Sequence, residues 1–229
     1  MVWEIANTII GSEIIIVSPR STFARLFELA QTGGFWLSIW TSLGRIMQGF
    51  ALALCCGVVL ATASAKFRLI YRLFLPAVNV MNAIPIASFT VLALMAVRAQ
   101  SLSVFIAFVT VLPIIFHNTY KGIESTDPLL LEMAGLFGVP PWKKAVYIYM
   151  RTTAPYVLSA ASVGIGFAWK SGIAAELIGV VRGTIGAELN TARIFLLTAD
   201  LFAWTIAIVL LSYVMERMFR LIFGRVMGQ

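Results

Sequence analysis

Arg45, Lys170 and Glu176 are ionisable side chains inside otherwise apolar stretches. A charge held in hydrocarbon is costly, so each needs a counter-ion, a water-filled path or a short reach to a surface. The chemistry open to such groups is electrostatic: pairing of helices, or guidance of a charged solute. Arg45 lies about ten residues into its stretch, roughly 15 Å from the start at 1.5 Å per residue. It either sits near the membrane surface or pairs with a neighbouring helix, or it lines a polar path. Lys170 falls roughly 5 Å from the middle of its stretch. A buried pair or partial snorkelling stands there against a place on a substrate path. Glu176, nearer the edge, reads as a structural or helix-end pair, with the path as the other option. Lys170 and Glu176 are six residues apart and do not share a helix face, so their partners must come from elsewhere. Asn118, beside the single histidine His117, is a further candidate for the path.

Other chemistries find no support. No HExxH, GxSxG, phosphate-binding loop, CxxC or EF-hand pattern occurs. One histidine excludes bis-histidine haem and histidine-rich metal sites within a protomer, so no metal ligand and no catalytic residue is expected. Asp200 and the other carboxylates are too scattered for an acid–base pair. Cys55 and Cys56 are sequence neighbours inside an apolar stretch and read as two small apolar residues.

The elements that carry these residues follow from composition. Of 229 residues, 60% are hydrophobic and 12% charged, with mean hydropathy +0.94. That is about half the charged fraction of a soluble domain. A helix crosses the hydrocarbon with roughly 20 apolar residues. Five stretches qualify, at 36–62, 76–97, 102–120, 154–180 and 197–221. With short linkers between them, the chain reads as one all-α, polytopic domain over 1–229.

The net charge of +7 reflects topology, and no nucleic acid is expected. With the first span running from outside to inside, inner segments hold ten of the 17 lysines and arginines: Lys66, Arg68, Arg72, Lys121, Lys143, Lys144, Arg151, Arg217, Arg220 and Arg225. Outer segments hold Arg20, Arg25, Arg98, Arg182 and Arg193. This bias places the 121–152 loop and the C-terminus in the cytoplasm.

Met1 to Val17 is apolar but broken by Gly11-Ser12-Glu13, and no cleavable signal peptide is visible. Ser21 to Gln31 reads as an amphipathic helix along the outer interface, with Phe23, Leu26, Phe27 and Ala30 on one side. Pro76 and Pro85 mark the second span as bent, and Pro113 lies in the third. In the fourth, Ala160, Gly164, Ala168 and Gly172 recur every four residues. That stripe lets another helix approach closely, or clears a groove for substrate.

The longest segment between spans, Asp127–Pro155, is strongly punctuated. Asp127 suits a helix cap and Pro128 the first helical position. Leu129 to Phe137 reads as a short helix ended by Gly138 and Pro140-Pro141, and Trp142 to Met150 as a second. The first must place Leu129, Leu130, Leu131, Met133, Leu136 and Phe137, more apolar surface than a solvated loop carries. A docking partner is expected. A transporter or channel subunit fits these features, with an ATPase-independent secondary transporter or channel subunit as the alternative.

This segment resembles the Glu-Ala-Ala loop of permease subunits of type I ABC importers. Glu132-Met133-Ala134 matches the opening triplet with methionine in the middle, Gly138 the glycine four residues on, and Ile148 the isoleucine ten further. Arg151 stands where proline is usual, while Pro155 matches a second proline. TSLGRIMQGF (41–50), AIPIASF (83–89), HNTYKG (117–122), GFAWKSGIAAELIG (166–179) and GTIG (183–186) resemble, in order, segments of the nitrate/sulfonate/taurine subgroup. The match covers about 35–222. The subgroup has a complete span before the residues corresponding to Trp3-Glu4, so five spans or a shortened extra one are implied.

The resemblance implies a multi-pass permease in a prokaryotic inner membrane, paired with a second copy. A separate ATPase pair would carry ATP and magnesium, and a solute-binding protein would deliver substrate. This chain would bind no cofactor itself. Leu131, Glu132, Met133, Ala134, Gly135, Gly138 and Ile148 would meet the ATPase. The subgroup's substrates are small oxyanions, sulfonates and thiamine-precursor-like heterocycles.

Overall fold

A computed structural model describes residues 3–4 and 17–224. The readings of the N-terminal apolar segment and of Arg225 fall largely outside the described residues. Helix α1 (Pro19–Ala30) starts where the Ser18 hydroxyl accepts from the Ser21 amide, with Pro19 at the first position. Along the expected apolar face, Leu26 and Ala30 pack on the core, while Phe23 and Phe27 at its flank are exposed. The inward face is completed by buried Thr22 and by Arg25. The Arg25 guanidinium binds Asp200 at 2.5 Å and Glu28 at 2.9 Å. These hydrogen bonds raise its already high affinity for a proton.

Among the described residues, four helices are long and apolar enough to cross a membrane: α2 (Gly33–Lys66), α5 (Ala99–Glu124), the continuous run Pro141–Gly179, and α10 (Thr198–Gly224). The stretch expected as one bent span at 76–97 is instead two helices, α3 (Arg68–Ala83) and α4 (Ile86–Ala96), set at 112°. The break is at Pro85. Ile84 before it is held extended (φ −72°, ψ 128°), as the residue preceding a proline prefers, and Pro85 cannot donate to a continuing helix. Pro76 is accommodated inside α3. The pair still runs the length of the bundle: Tyr71 stacks on Tyr120 at one end of α5 and Phe89 meets Phe105 at the other. Counted as one broken span, it makes five.

The second short helix expected at Trp142–Met150 is not separate. α7 (Pro141–Lys144) passes through a π-helical turn at Ala145–Tyr149 directly into α8 (Met150–Gly179). Nothing between Trp142 and Pro155 breaks a helix, and Pro155 is absorbed within α8.

α5 is the axis of the bundle. α2 packs along it in parallel, bringing Gly49 to Val104 and Gly57 to Ile115. α8 packs antiparallel, bringing Gly164 to Val111 and Gly179 to Leu102. A Cβ on Gly49 would lie 2.3 Å from the Val104 carbonyl oxygen, so the α2–α5 approach requires glycine. Ala160, Gly164, Ala168 and Gly172 are all buried in this packing; Gly164 seats Val111 and Phe50, and Gly172 seats Ile46. Trp169, fully buried, ties α8 to α10 by donating from Nε1 to the Ile208 carbonyl at 3.1 Å. A last short helix, α9 (Ile185–Ile194), lies at the end of the bundle where α8 finishes.

Candidate functional site

At one end of the bundle, α5 finishes at Glu124 and α8 begins beyond Pro141. Between them lies α6 (Pro128–Leu136). Asp127 caps it by accepting from the Leu129 amide at 2.9 Å. Its other end closes with two nested hydrogen bonds, Val139 N–H to the Ala134 carbonyl (2.9 Å) and Gly138 N–H to the Gly135 carbonyl (3.0 Å). That closure needs a left-handed residue, and Gly138 supplies it at φ +63°.

α6 buries only Ala134. Leu129, Leu130, Met133, Leu136 and Phe137 are exposed, the last two to 88% and 80%. Glu132 and Gly135 are also exposed, Leu131 is half-buried, and Ile148 is half-buried on the π-helical turn. α6 is thus an apolar helix capped at both ends, carried between two long spans, with only Ala134 covered.

The four polar path candidates fall in different places. Asn118 is half-buried and donates to the Ile114 carbonyl of its own helix at 2.8 Å. Lys170 is exposed in a groove of about 400 Å³ between α8 and α10, lined also by Ser159, Ser162, Gly166, Glu216 and Arg220. The Glu216 carboxylate lies against Gly166: a Cβ there would be 2.6 Å from its Oε1. Arg220 pairs with Glu216 at 3.8 Å. Glu176 lies away from that groove, fully buried, and accepts from Ser42 Oγ at 2.7 Å, with Arg45 of α2 near enough to act on it electrostatically.

Sequence reading gave Ser42, Glu216 and Arg220 no place in a site. The two charged residues had a signal: MERMFR reads as an ordinary cytoplasmic finish, yet Glu216 and Arg220 share a helix face four residues apart. Ser42 had none, because its partner is 134 residues away.

The model of the family described as binding-protein-dependent transport system inner membrane component matches residues 53–228. A probable ABC transporter permease protein of Brucella melitensis is 24% identical over 206 residues, covering 90% of this chain and 83% of its own length. The taurine transport system permease protein of Escherichia coli is 20% identical over 93% of this chain and 80% of its own. The nitrate import permease protein of Synechococcus elongatus is 23% identical over 77% and 67%. The crystal structure of an amino acid ABC transporter with histidines superposes with a TM-score of 0.62, covering 83% of this chain and 92% of that one, at 18% identity. That likeness concerns the fold.

Proposed function

Because the chain belongs to the binding-protein-dependent transport system inner membrane component family, we propose that two copies of it form the membrane path of an ATP-driven importer for a small anionic solute. The chain is a multi-pass permease subunit, a transport component and not an enzyme. The observation that carries the coupling role is α6: a rigid helix with its leucine, methionine and phenylalanine side chains exposed. Such a helix lays its apolar face into a groove on a partner, here the ATPase pair that holds ATP and magnesium. Leu131, Glu132, Met133, Ala134, Gly135, Gly138 and Ile148 form or position that contact. The α6 end and the C-terminus face the cytoplasm of a prokaryotic inner membrane, and a solute-binding protein docks at the opposite end.

The α8–α10 groove supports the path. Lys170, Glu216 and Arg220 lie on an exposed face of spanning helices, where lipid would be a poor neighbour for charge. A second copy facing this groove encloses it as a watered channel. Two cations against one carboxylate favour an anion. The taurine, nitrate and bicarbonate systems among the relatives share small size and an anionic group.

The test is uptake by proteoliposomes holding the permease, its ATPase and its binding protein, with taurine, nitrate and bicarbonate as probes. ATP-dependent, binding-protein-dependent accumulation of one of them is expected. Lys170→Met should lower that uptake several-fold while the complex still assembles on gel filtration. Accumulation without ATPase would replace this reading by a secondary transporter.

A further inference from the structure

The most unusual polar cluster among the described residues lies at the α9 end of the bundle. Ser42 Oγ donates to Glu176 Oε2 at 2.7 Å and accepts from the Ile185 amide at 3.0 Å. One hydroxyl thus joins α2, the end of α8 and the start of α9. Ser42, Glu176 and Ile185 are all fully buried. Gly186 rests directly on the Glu176 backbone, where a Cβ would lie 2.4 Å from its carbonyl carbon. The cap formed by residues 180–184 and α9 is therefore fastened to α2 through Ser42.

The fastening leaves partners unused. Glu176 Oε1 is buried with no hydrogen bond, although Ser103 and the Gly186 amide stand beside the carboxylate. Arg45 Nη1 is also buried with no hydrogen bond. Arg45 lies one helical turn beyond Ser42 on α2, close enough to attract Glu176 electrostatically but without an ion pair to it. The cap's joints are strained as well. Val180 (φ 47°) and Leu196 (φ 53°) are left-handed without being glycine, and valine is branched at Cβ.

We propose that Ser42, Arg45 and Glu176 form a two-position latch on the solute-entry end of the path. In the position seen here, Ser42 holds Glu176 and Ile185 together and the cap is closed. In the other, α2 moves relative to α8 by about one turn, Glu176 exchanges Ser42 for Arg45, and the Ile185 amide is released. Two discrete partners one turn apart for one carboxylate make the element bistable instead of continuously deformable. Glu176 and Arg45 are then positioning residues, not solute ligands. This inference rests on the alternating-access permease reading and gives that reading an entry gate.

The test uses the full-length permease complex in lipid nanodiscs, with Cys55→Ala and Cys56→Ala to remove the native thiols. Val181→Cys then places a reporter in the cap, where Val181 is 2% exposed. Its rate of maleimide labelling reads cap opening. Nanodiscs open both faces to the reagent, so the result does not depend on membrane orientation or on the solute carried. Ser42→Ala should raise the rate roughly fivefold, the shift expected from losing one buried hydrogen bond. Arg45→Gln and Glu176→Gln should lower it below the parent, because the open position loses its ion pair while glutamine at 176 still accepts from Ser42. If the three residues only hold the fold together, all three substitutions loosen the cap and raise labelling. That result, or unchanged rates, overturns the latch. Absence of ATP-driven uptake by proteoliposomes holding the parent complex would instead count against the importer reading.

Discussion

The two ends of the molecule solve the same problem in opposite ways. At each, a helix must stop and the chain must turn into a short helix. At the α6 end the left-handed position is filled by Gly138, which adopts φ +63° without steric cost and has open space around it. At the α9 end Gly183 is left-handed in the same way (φ +70°), but Val180 and Leu196 are left-handed too, each at a cost of about 1–3 kcal/mol of backbone strain. The α6 end exposes apolar side chains on a relaxed frame, while the α9 end buries a carboxylate under a strained one. A relaxed, rigid corner suits a part that transmits force from a partner without yielding. A strained cap with unpaired polar atoms suits a part that must leave its position.

Substitutions that exchange these properties should sharpen the contrast. The largest effect is expected for Gly138→Val, which puts a β-branched residue in a left-handed turn at roughly 1–2 kcal/mol or more. ATP-driven uptake should drop at least about tenfold while ATP hydrolysis persists; normal uptake would remove the corner from the coupling route. Next, Gly186→Ala forces a methyl group into the Glu176 backbone, and overpacking of this kind costs about 1–3 kcal/mol. The melting temperature of the purified protein should fall clearly below that of Gly44→Ala, where nothing lies within 4 Å. The smallest effect is the reverse exchange, Val180→Gly. Relief of strain against the greater backbone freedom of glycine should leave stability unchanged or raised by up to about 1 kcal/mol. A drop of that size in thermal unfolding would show that Val180 is not strained.

The local grammar of the α6 end was legible in sequence because it is written in adjacent residues: Asp127 and Pro128 start the helix, and Gly138 with Pro140-Pro141 ends it. The all-α, multi-span architecture was equally legible, because hydrophobic length alone sets it. The broken span was half legible. Pro85 marked a bend, but 112° follows from packing of α3 and α4 on opposite ends of α5. The run from Pro141 to Gly179 was misjudged because a span was expected to begin anew after the corner, whereas the π-helical turn carries the helix through. The latch was not legible at all. Glu176 and Ser42 meet across 134 residues, and Arg25 meets Asp200 across 175. No local pattern encodes either meeting, nor the side of α8 on which Lys170 and Glu176 part company.

The most direct measurement concerns the exposed helix. Leu136→Asp with Phe137→Asp places two carboxylates on the most exposed apolar positions of α6 and touches no core residue. When membrane-extracted permease is affinity-purified, the ATPase subunit should accompany the parent chain and be absent from the double variant, with the melting temperature of the permease itself unchanged. ATPase recovered in parental amounts with the variant would contradict the account, because the partner would then be held elsewhere than at this corner.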